Sequence, residues 1–148
     1  MKRFKFGLEK VLKLRQYHEH EARVELGRAV GILAGIENQI KRNAVVHSEA
    51  IRERFTGINS GHTDGLQSML AWDAYINRLE RETERLMEEA AQAEIVVEEK
   101  RQLYVEASHE LKVMENLKER REKEHRKEMF AAETQELDDR KITVNSEQ

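Results

Sequence analysis

The chain of 148 residues contains no proline and no cysteine, while 37% of its residues are charged and 5% are aromatic. The lack of cysteine excludes disulfides, thiolate metal sites and cysteine nucleophiles, and a small sandwich or barrel is excluded because its many turns would draw on proline and glycine. The composition is typical of long helices and coiled coils. The net charge of −3 argues against a dedicated nucleic-acid-binding protein.

The first predicted helix covers about residues 7–54 and carries an apolar seam of modest quality. The basic start of the chain resembles a signal peptide only superficially, because Glu9, Lys10 and Lys13 interrupt any apolar stretch. No run is long enough to predict a membrane span. The predicted seam positions are Leu8, Leu12, Arg15, Glu19, Ala22, Leu26, Ala29, Leu33, Ile36 and Ile40, followed after a drift of one residue by Ala44, His47, Ile51 and Phe55.

Three glycines repeat every four residues in this helix, at Gly27, Gly31 and Gly35. A helical wheel places them opposite the seam. Each glycine costs about 1 kcal/mol relative to alanine in a helix interior. Either another backbone approaches closely along this outer strip, or the segment is simply bendable, and both interpretations stay open.

Residues 56–65 concentrate glycine, asparagine, serine and aspartate, which predicts a loop. A longer helix follows over about residues 66–137, and its sustained 3.5-residue repeat is typical of a coiled coil. Its predicted seam positions are Met69, Trp72, Ile76, Leu79, Thr83, Leu86, Ala90, Ala93, Val97, Lys100, Tyr104, Ala107, Leu111 and Met114.

Two long helices joined by a short loop run antiparallel, so folding about residue 60 or 61 would place residue i opposite about residue 121 − i. The two seams then stop together, which favours an intramolecular hairpin over a dimeric coiled coil. The predicted fold class is therefore all-α, with residues 1–148 forming a single domain, a long antiparallel two-helix coiled-coil hairpin.

Beyond Met114, alternating acidic and basic residues replace the apolar seam, which supports a solvated single helix. This part would overhang the first helix by about 23 residues, roughly 35 Å at 1.5 Å per residue. Residues 141–148 are predicted to fray. The overhang is either an exposed helix without a role or a helix end that contacts a partner.

No catalytic constellation is found in the sequence, which has no phosphate-binding glycine loop, no H-E-x-x-H motif and no nucleophile with a base beside it. His18 and His20 are two residues apart and would point to different faces of a helix, so they form no metal pair. The sequence predicts a protein that is not an enzyme and that uses no cofactor and no metal.

Three segments, in order along the chain, resemble the flagellar FliJ family. Residues 4–15 are similar to its F-x-F-x-L-x-x-V-L-x-x-R start, and residues 72–79 to its aromatic-x-x-aromatic-I-x-x-L segment after the loop. Residues 133–139 are similar to its E-x-x-x-L-D-E terminus, with Asp139 in place of the last glutamate. Length, hairpin and loop position also agree, so the resemblance covers nearly the whole chain.

The resemblance implies a cytoplasmic component of the flagellar type III export apparatus, peripheral at the inner membrane, with weak or indirect membrane association and no nucleic-acid partner. It implies roles in flagellum biogenesis, motility and chemotaxis. The implied partners are the hexameric export ATPase, which a gamma-stalk-like coiled coil engages and stimulates, the membrane export gate, and export chaperones that it escorts.

The same resemblance implies site residues. Those at the ATPase would be Phe4, Phe6, Leu8, Leu12, Arg15, Glu133 and Leu137. Those at the export gate would be Trp72, Tyr75 and Leu79. Three alternatives stay open: a generic coiled-coil adaptor or spacer, the equivalent stalk protein of a virulence injectisome, and an acidic-lipid tether that acts through the basic N-terminus.

Overall fold

The computed structural model describes residues 3–59 and 65–146. These residues form two helices, α1 over Glu9–Asn59 and α2 over Gly65–Ser146, of 51 and 82 residues. No strand occurs within the described ranges. The helices pack against each other as an antiparallel hairpin, which confirms the predicted all-α fold.

Both helices end further along the chain than predicted. α1 begins at Glu9 rather than near residue 7, and it ends at Asn59 rather than near residue 54. Residues 56–59 of the predicted loop are therefore helical, and residues 60–64 lie outside the described residues. α2 passes its predicted end near residue 137, so residues 141–146 are helical rather than frayed, while 147 and 148 lie outside the described residues. No glycine or proline follows Gly65, so nothing in the sequence breaks α2.

The chain divides into two compact units. The terminal unit consists of Met1–Ala22 with Tyr104–Gln148, and the central unit consists of Arg23–Leu103. In both units the predicted α2 seam is the packed face of the helix: all fourteen of its positions are buried or half-buried.

The core of the central unit consists mostly of small side chains, which let two helix backbones approach each other. Its buried apolar residues are Ala29, Ala50, Leu86, Ala90 and Val97. Polar contacts between the helices flank this core. His47 Nε2 lies 3.1 Å from Glu80 Oε1, and Arg54 Nε lies 2.6 Å from Asp73 Oδ1.

The predicted drift in the α1 seam is wrong. Ala44, Ile51 and Phe55 are exposed, whereas Asn43, His47, Ala50, Arg54 and Gly57 are buried or half-buried. The heptad repeat of α1 therefore continues unbroken past Ile40, and it draws polar residues into the seam. The prediction followed the apolar side chains, but an antiparallel partner helix requires a constant 3.5-residue repeat, and this requirement prevails over local hydrophobicity.

Ion pairs between the helices also fix the register. In the terminal unit Arg15 pairs with Glu110, and Lys118 Nζ lies 3.0 Å from Glu9 Oε2. In an antiparallel hairpin the residue numbers of opposed residues have a constant sum, which defines the register. This sum is 125 for Arg15 and Glu110, and it is 127 for the other three cross-helix pairs. The predicted register of 121 − i was therefore wrong by four to six residues. Because α1 continues to Asn59, the midpoint of the hairpin lies further along the chain than the predicted residue 60 or 61.

The residues before α1 form a strap, here residues 3–8, that lies against α2. Phe6 is only 8% exposed. The guanidinium of Arg121 lies 5.8 Å from the Phe6 ring centroid, and the rings of Phe4 and His125 are 5.6 Å apart. The overhang predicted to begin after Met114 is therefore covered for a further stretch, and α2 is half-buried at Leu117, Lys118, Glu122, His125 and Met129.

The uncovered part of α2 begins only at Phe130. Every residue from 130 to 143 is exposed. We call residues 130–143 the bare helix end. Its fourteen residues would span about 21 Å at 1.5 Å per residue, less than the predicted overhang of roughly 35 Å.

Candidate functional site

The bare helix end presents apolar side chains directly to solvent. Phe130 is 73% exposed and Leu137 is 56% exposed. They are seven residues apart, so they lie on one line along the helix. The hydroxyl of Thr134, which lies between them in the sequence, donates to the backbone carbonyl of Phe130. Two exposed apolar anchors on a rigid helix are a suitable docking element for another protein.

Acidic residues surround this apolar line. Glu133, Glu136, Asp138 and Asp139 are all exposed. Of the residues that the resemblance implies at the ATPase, Glu133 and Leu137 therefore lie on an accessible surface. The sequence reasoning missed Phe130, although its spacing of seven residues from Leu137 would have identified it.

The other implied ATPase residues lie within the terminal unit's own packing. Phe6 and Leu12 are buried, while Phe4, Leu8 and Arg15 are half-buried. Phe4 and Phe6 contact α2, and Arg15 pairs with Glu110. Because Phe6 and Leu12 are buried, neither is exposed to direct contact by a partner.

In the first turns of α2, the aromatic residues implied at the export gate form a small cluster. The rings of Trp72 and Tyr75 meet edge to face at 6.0 Å, and the guanidinium of Arg78 lies 5.6 Å from the Tyr75 ring centroid. Trp72 and Tyr75 also line a shallow groove with Val46 and Ala50. Trp72, Tyr75 and Leu79 are all half-buried, so part of each remains accessible.

Additional apolar side chains are exposed in the last turns of α1 and the first turns of α2. Phe55 is 58% exposed, and Leu66 and Leu70 are more exposed still. Sequence reasoning placed Phe55 in the seam and passed over both leucines. The sequence could have indicated this exposed pair, since Leu66 and Leu70 are four residues apart and off the predicted seam. Both are accessible apolar residues outside the packed seam.

The three spaced glycines of α1 are exposed, as the helical wheel predicted. A Cβ atom built at Gly27, Gly31 or Gly35 would meet nothing within 4 Å. The hairpin therefore has no steric need for glycine at these positions. The neighbouring Val30 and Ile32 are also exposed.

The electrostatics of the described residues are those of a solvated surface. A hydrogen bond to Glu21 raises the pKa of the Tyr17 hydroxyl, and a hydrogen bond from Lys123 lowers the pKa of Glu119. Within residues 3–59 and 65–146, no group of three or more metal-ligating side chains could hold a metal ion. Over the same residues, neither helix has a stretch that is long and apolar enough to cross a membrane.

Comparison with known proteins gives one match. The sequence model of the family described as Flagellar FliJ protein matches residues 4–144. This range includes all of the strap but Arg3, the cluster of Trp72 and Tyr75, and the whole bare helix end. No curated protein and no solved structure matches the chain.

Proposed function

Because the chain belongs to the flagellar FliJ family, it is a component of the flagellar protein export apparatus, and we propose that it acts there as a stalk for the export ATPase. Members of the family are non-catalytic, so the function lies in binding. The observation that carries the proposal is the bare helix end. It is a helix segment with exposed Phe130 and Leu137 that the hairpin itself leaves uncovered.

In this proposal the bare helix end enters the ATPase ring. Phe130 and Leu137 supply the apolar contacts, and Glu133 supplies a charged contact beside them. The buried residues Phe6 and Leu12 belong to the packing of the terminal unit from which the bare helix end extends.

The segment near the loop is proposed to contact the membrane export gate. Trp72, Tyr75 and Leu79 carry the family pattern, and the exposed Phe55, Leu66 and Leu70 enlarge the apolar surface. Export chaperones complete the proposed set of partners.

The proposed mechanism is allosteric. A stalk that binds all ring conformations equally well would shift none of them, whereas unequal affinity shifts the ring toward the preferred conformation. A difference of about 1.4 kcal/mol changes the ratio of two conformations tenfold. A partner without catalytic residues can change a hydrolysis rate in this way.

The test is the hydrolysis rate of the cognate flagellar export ATPase, titrated with the full chain. The unaltered chain should raise the rate. The double variant Phe130→Ala/Leu137→Ala should need at least about ten times more protein for half-maximal stimulation, because two exposed anchors contribute together about 2 kcal/mol or more.

Val96→Ala/Leu103→Ala is the matched control. These two apolar residues have the same spacing, lie on the same helix and are also exposed. Their replacement should leave stimulation unchanged. If the unaltered chain neither binds the ATPase nor raises its rate, the chain is a spacer or adaptor rather than a stalk. If the control variant loses as much stimulation as the test variant, the bare helix end is not the contact.

A further inference from the structure

Basic and aromatic side chains alternate along the strap and lie on opposite sides of it. Phe4 and Phe6 contact α2, while Arg3 and Lys5 between them are exposed. Packing of the two rings therefore holds two basic side chains on the outside of the terminal unit.

The first turns of α1 extend this basic surface. Lys10, Lys13, Leu14 and Tyr17 are spaced i, i+3, i+4 and i+7, so they share one face of the helix. All four are exposed, with Leu14 at 52% and Tyr17 at 58%. We call the exposed set Arg3, Lys5, Lys10, Lys13, Leu14 and Tyr17 the N-terminal basic face.

The cross-helix contacts bring a second basic segment beside it. Residues 3–15 and 112–128 together hold twelve basic and six acidic residues, a net charge of +6, so the rest of the chain carries −9. Three of those six acidic residues, Glu9, Glu119 and Glu122, are held in ion pairs. In contrast, Arg3, Lys5, Lys10 and Lys13 form no ion pair with any described residue.

We propose that the N-terminal basic face binds the surface of an anionic lipid bilayer. Four exposed cations without partners match a layer of negative headgroups, each contributing roughly a fivefold gain in partitioning near such a surface. Leu14 and Tyr17 lie between the lysines, and this mixture of basic, aliphatic and aromatic residues on one helix face is typical of interfacial binding. The remaining residues, outside 3–15 and 112–128, carry a net charge of −9 and would be repelled by the same surface.

The membrane fits these observations better than an acidic protein does. The four cations are exposed side chains spread over the start of α1 and the strap before it, and each is accessible to a flat charged surface. Charges spread out in this way bind to a flat surface of opposite charge rather than to a protein surface of complementary shape. The proposal depends on the basic face alone and goes beyond the proposed stalk function.

The test is flotation of the full chain with vesicles of phosphatidylcholine, with or without about one third phosphatidylglycerol. We expect binding to the anionic vesicles only. Binding should be strong at about 0.05 M salt and lost at about 0.5 M, where the Debye length falls from about 14 Å to about 4 Å. The variant Lys10→Gln/Lys13→Gln should bind about 25 times more weakly at low salt.

Lys41→Gln/Arg52→Gln is the matched control, because it removes the same charge from two exposed residues of the central unit. It should bind as well as the unaltered chain, and far-ultraviolet circular dichroism should show the same helicity for all three proteins. Equal losses in the two variants would show a response to net charge alone and would overturn the proposal.

Failure of the unaltered chain to bind anionic vesicles at low salt would also overturn it. If Lys10→Gln/Lys13→Gln then weakened binding to the export ATPase, the face would belong to an acidic protein surface instead. The vesicles contain no ATPase, and the hydrolysis assay contains no lipid. Failure of this proposal is therefore distinguishable from failure of the stalk function.

Discussion

Replacing Phe6 by alanine should release the strap while leaving the two helices folded. Phe6 is 8% exposed, and the Arg121 guanidinium lies 5.8 Å from its ring centroid. Burial of a phenylalanine side chain is worth about 1.5–3 kcal/mol, and a cation–π contact at an exposed site is worth about 0.5–1 kcal/mol. The equilibrium should therefore shift toward the released strap by about 2–4 kcal/mol, or roughly 30- to 1000-fold.

Amide hydrogen exchange measures this release directly. The amide of Glu9 donates to the carbonyl of Phe6 at 3.2 Å, and the amide of Leu12 donates to the carbonyl of Leu8 at 2.9 Å. Both should exchange faster in Phe6→Ala. Exchange in the central unit should be unchanged, because local opening is independent of global unfolding.

Phe130→Ala is the matched control for this experiment. It removes the same side chain from a site in the terminal unit that is 73% exposed, so exchange at Glu9 and Leu12 should not change. Unaltered exchange in Phe6→Ala would refute the reasoning, since the ring would then not hold the strap. Equal acceleration in Phe130→Ala would refute it as well.

Three further predictions concern the central unit. Gly31→Ala should raise the free energy of unfolding in urea by about 0.5–1 kcal/mol, because a Cβ atom there meets nothing within 4 Å. A gain in stability accompanied by weaker partner binding would show that the glycine strip is a contact surface. Asn43→Leu should raise the free energy of unfolding in urea by about 1–3 kcal/mol, because the buried Nδ2 of Asn43 has no hydrogen-bond partner among the described residues. A lower free energy of unfolding in this variant would contradict this reasoning. Tyr75→Ala should weaken binding to the export gate about tenfold in a titration, whereas Leu103→Ala should not, and equal binding by both variants would remove Tyr75 from the gate surface.

The period of a helical seam could be read from the sequence, but its continuation through polar residues could not. The α2 seam from Met69 to Met114 is packed throughout. Its positions are nearly all apolar, so hydrophobicity alone identifies them in the sequence. In α1 the repeat continues through Asn43 and Arg54, which look like surface residues until a partner such as Asp73 is placed opposite. Hydrophobicity alone therefore selected Ile51 and Phe55, which are exposed in the folded chain.

The strap shows a second limit of sequence reasoning. Phe4 and Phe6 were recognised as part of a family pattern, but their alternation with Arg3 and Lys5 has meaning only once α2 is known to lie beside them. The overhang was overestimated for the same reason. The mixed charges after Met114 resemble a fully solvated helix, although the strap contacts α2 at Arg121 and His125.

The polar residues of the seam carry a functional consequence, because register determines how much of α2 stays bare. A slip of the helices by one heptad would change the bare helix end by seven residues, about 10 Å. Such a slip would separate Arg54 from Asp73 and His47 from Glu80 in the central unit, and Glu9 from Lys118 in the terminal unit. Apolar layers tolerate a slip, whereas a half-buried charge that loses its partner does not. The polar seam residues thus reduce the stability of the hairpin locally and, in return, set the length of helix that is available to a partner.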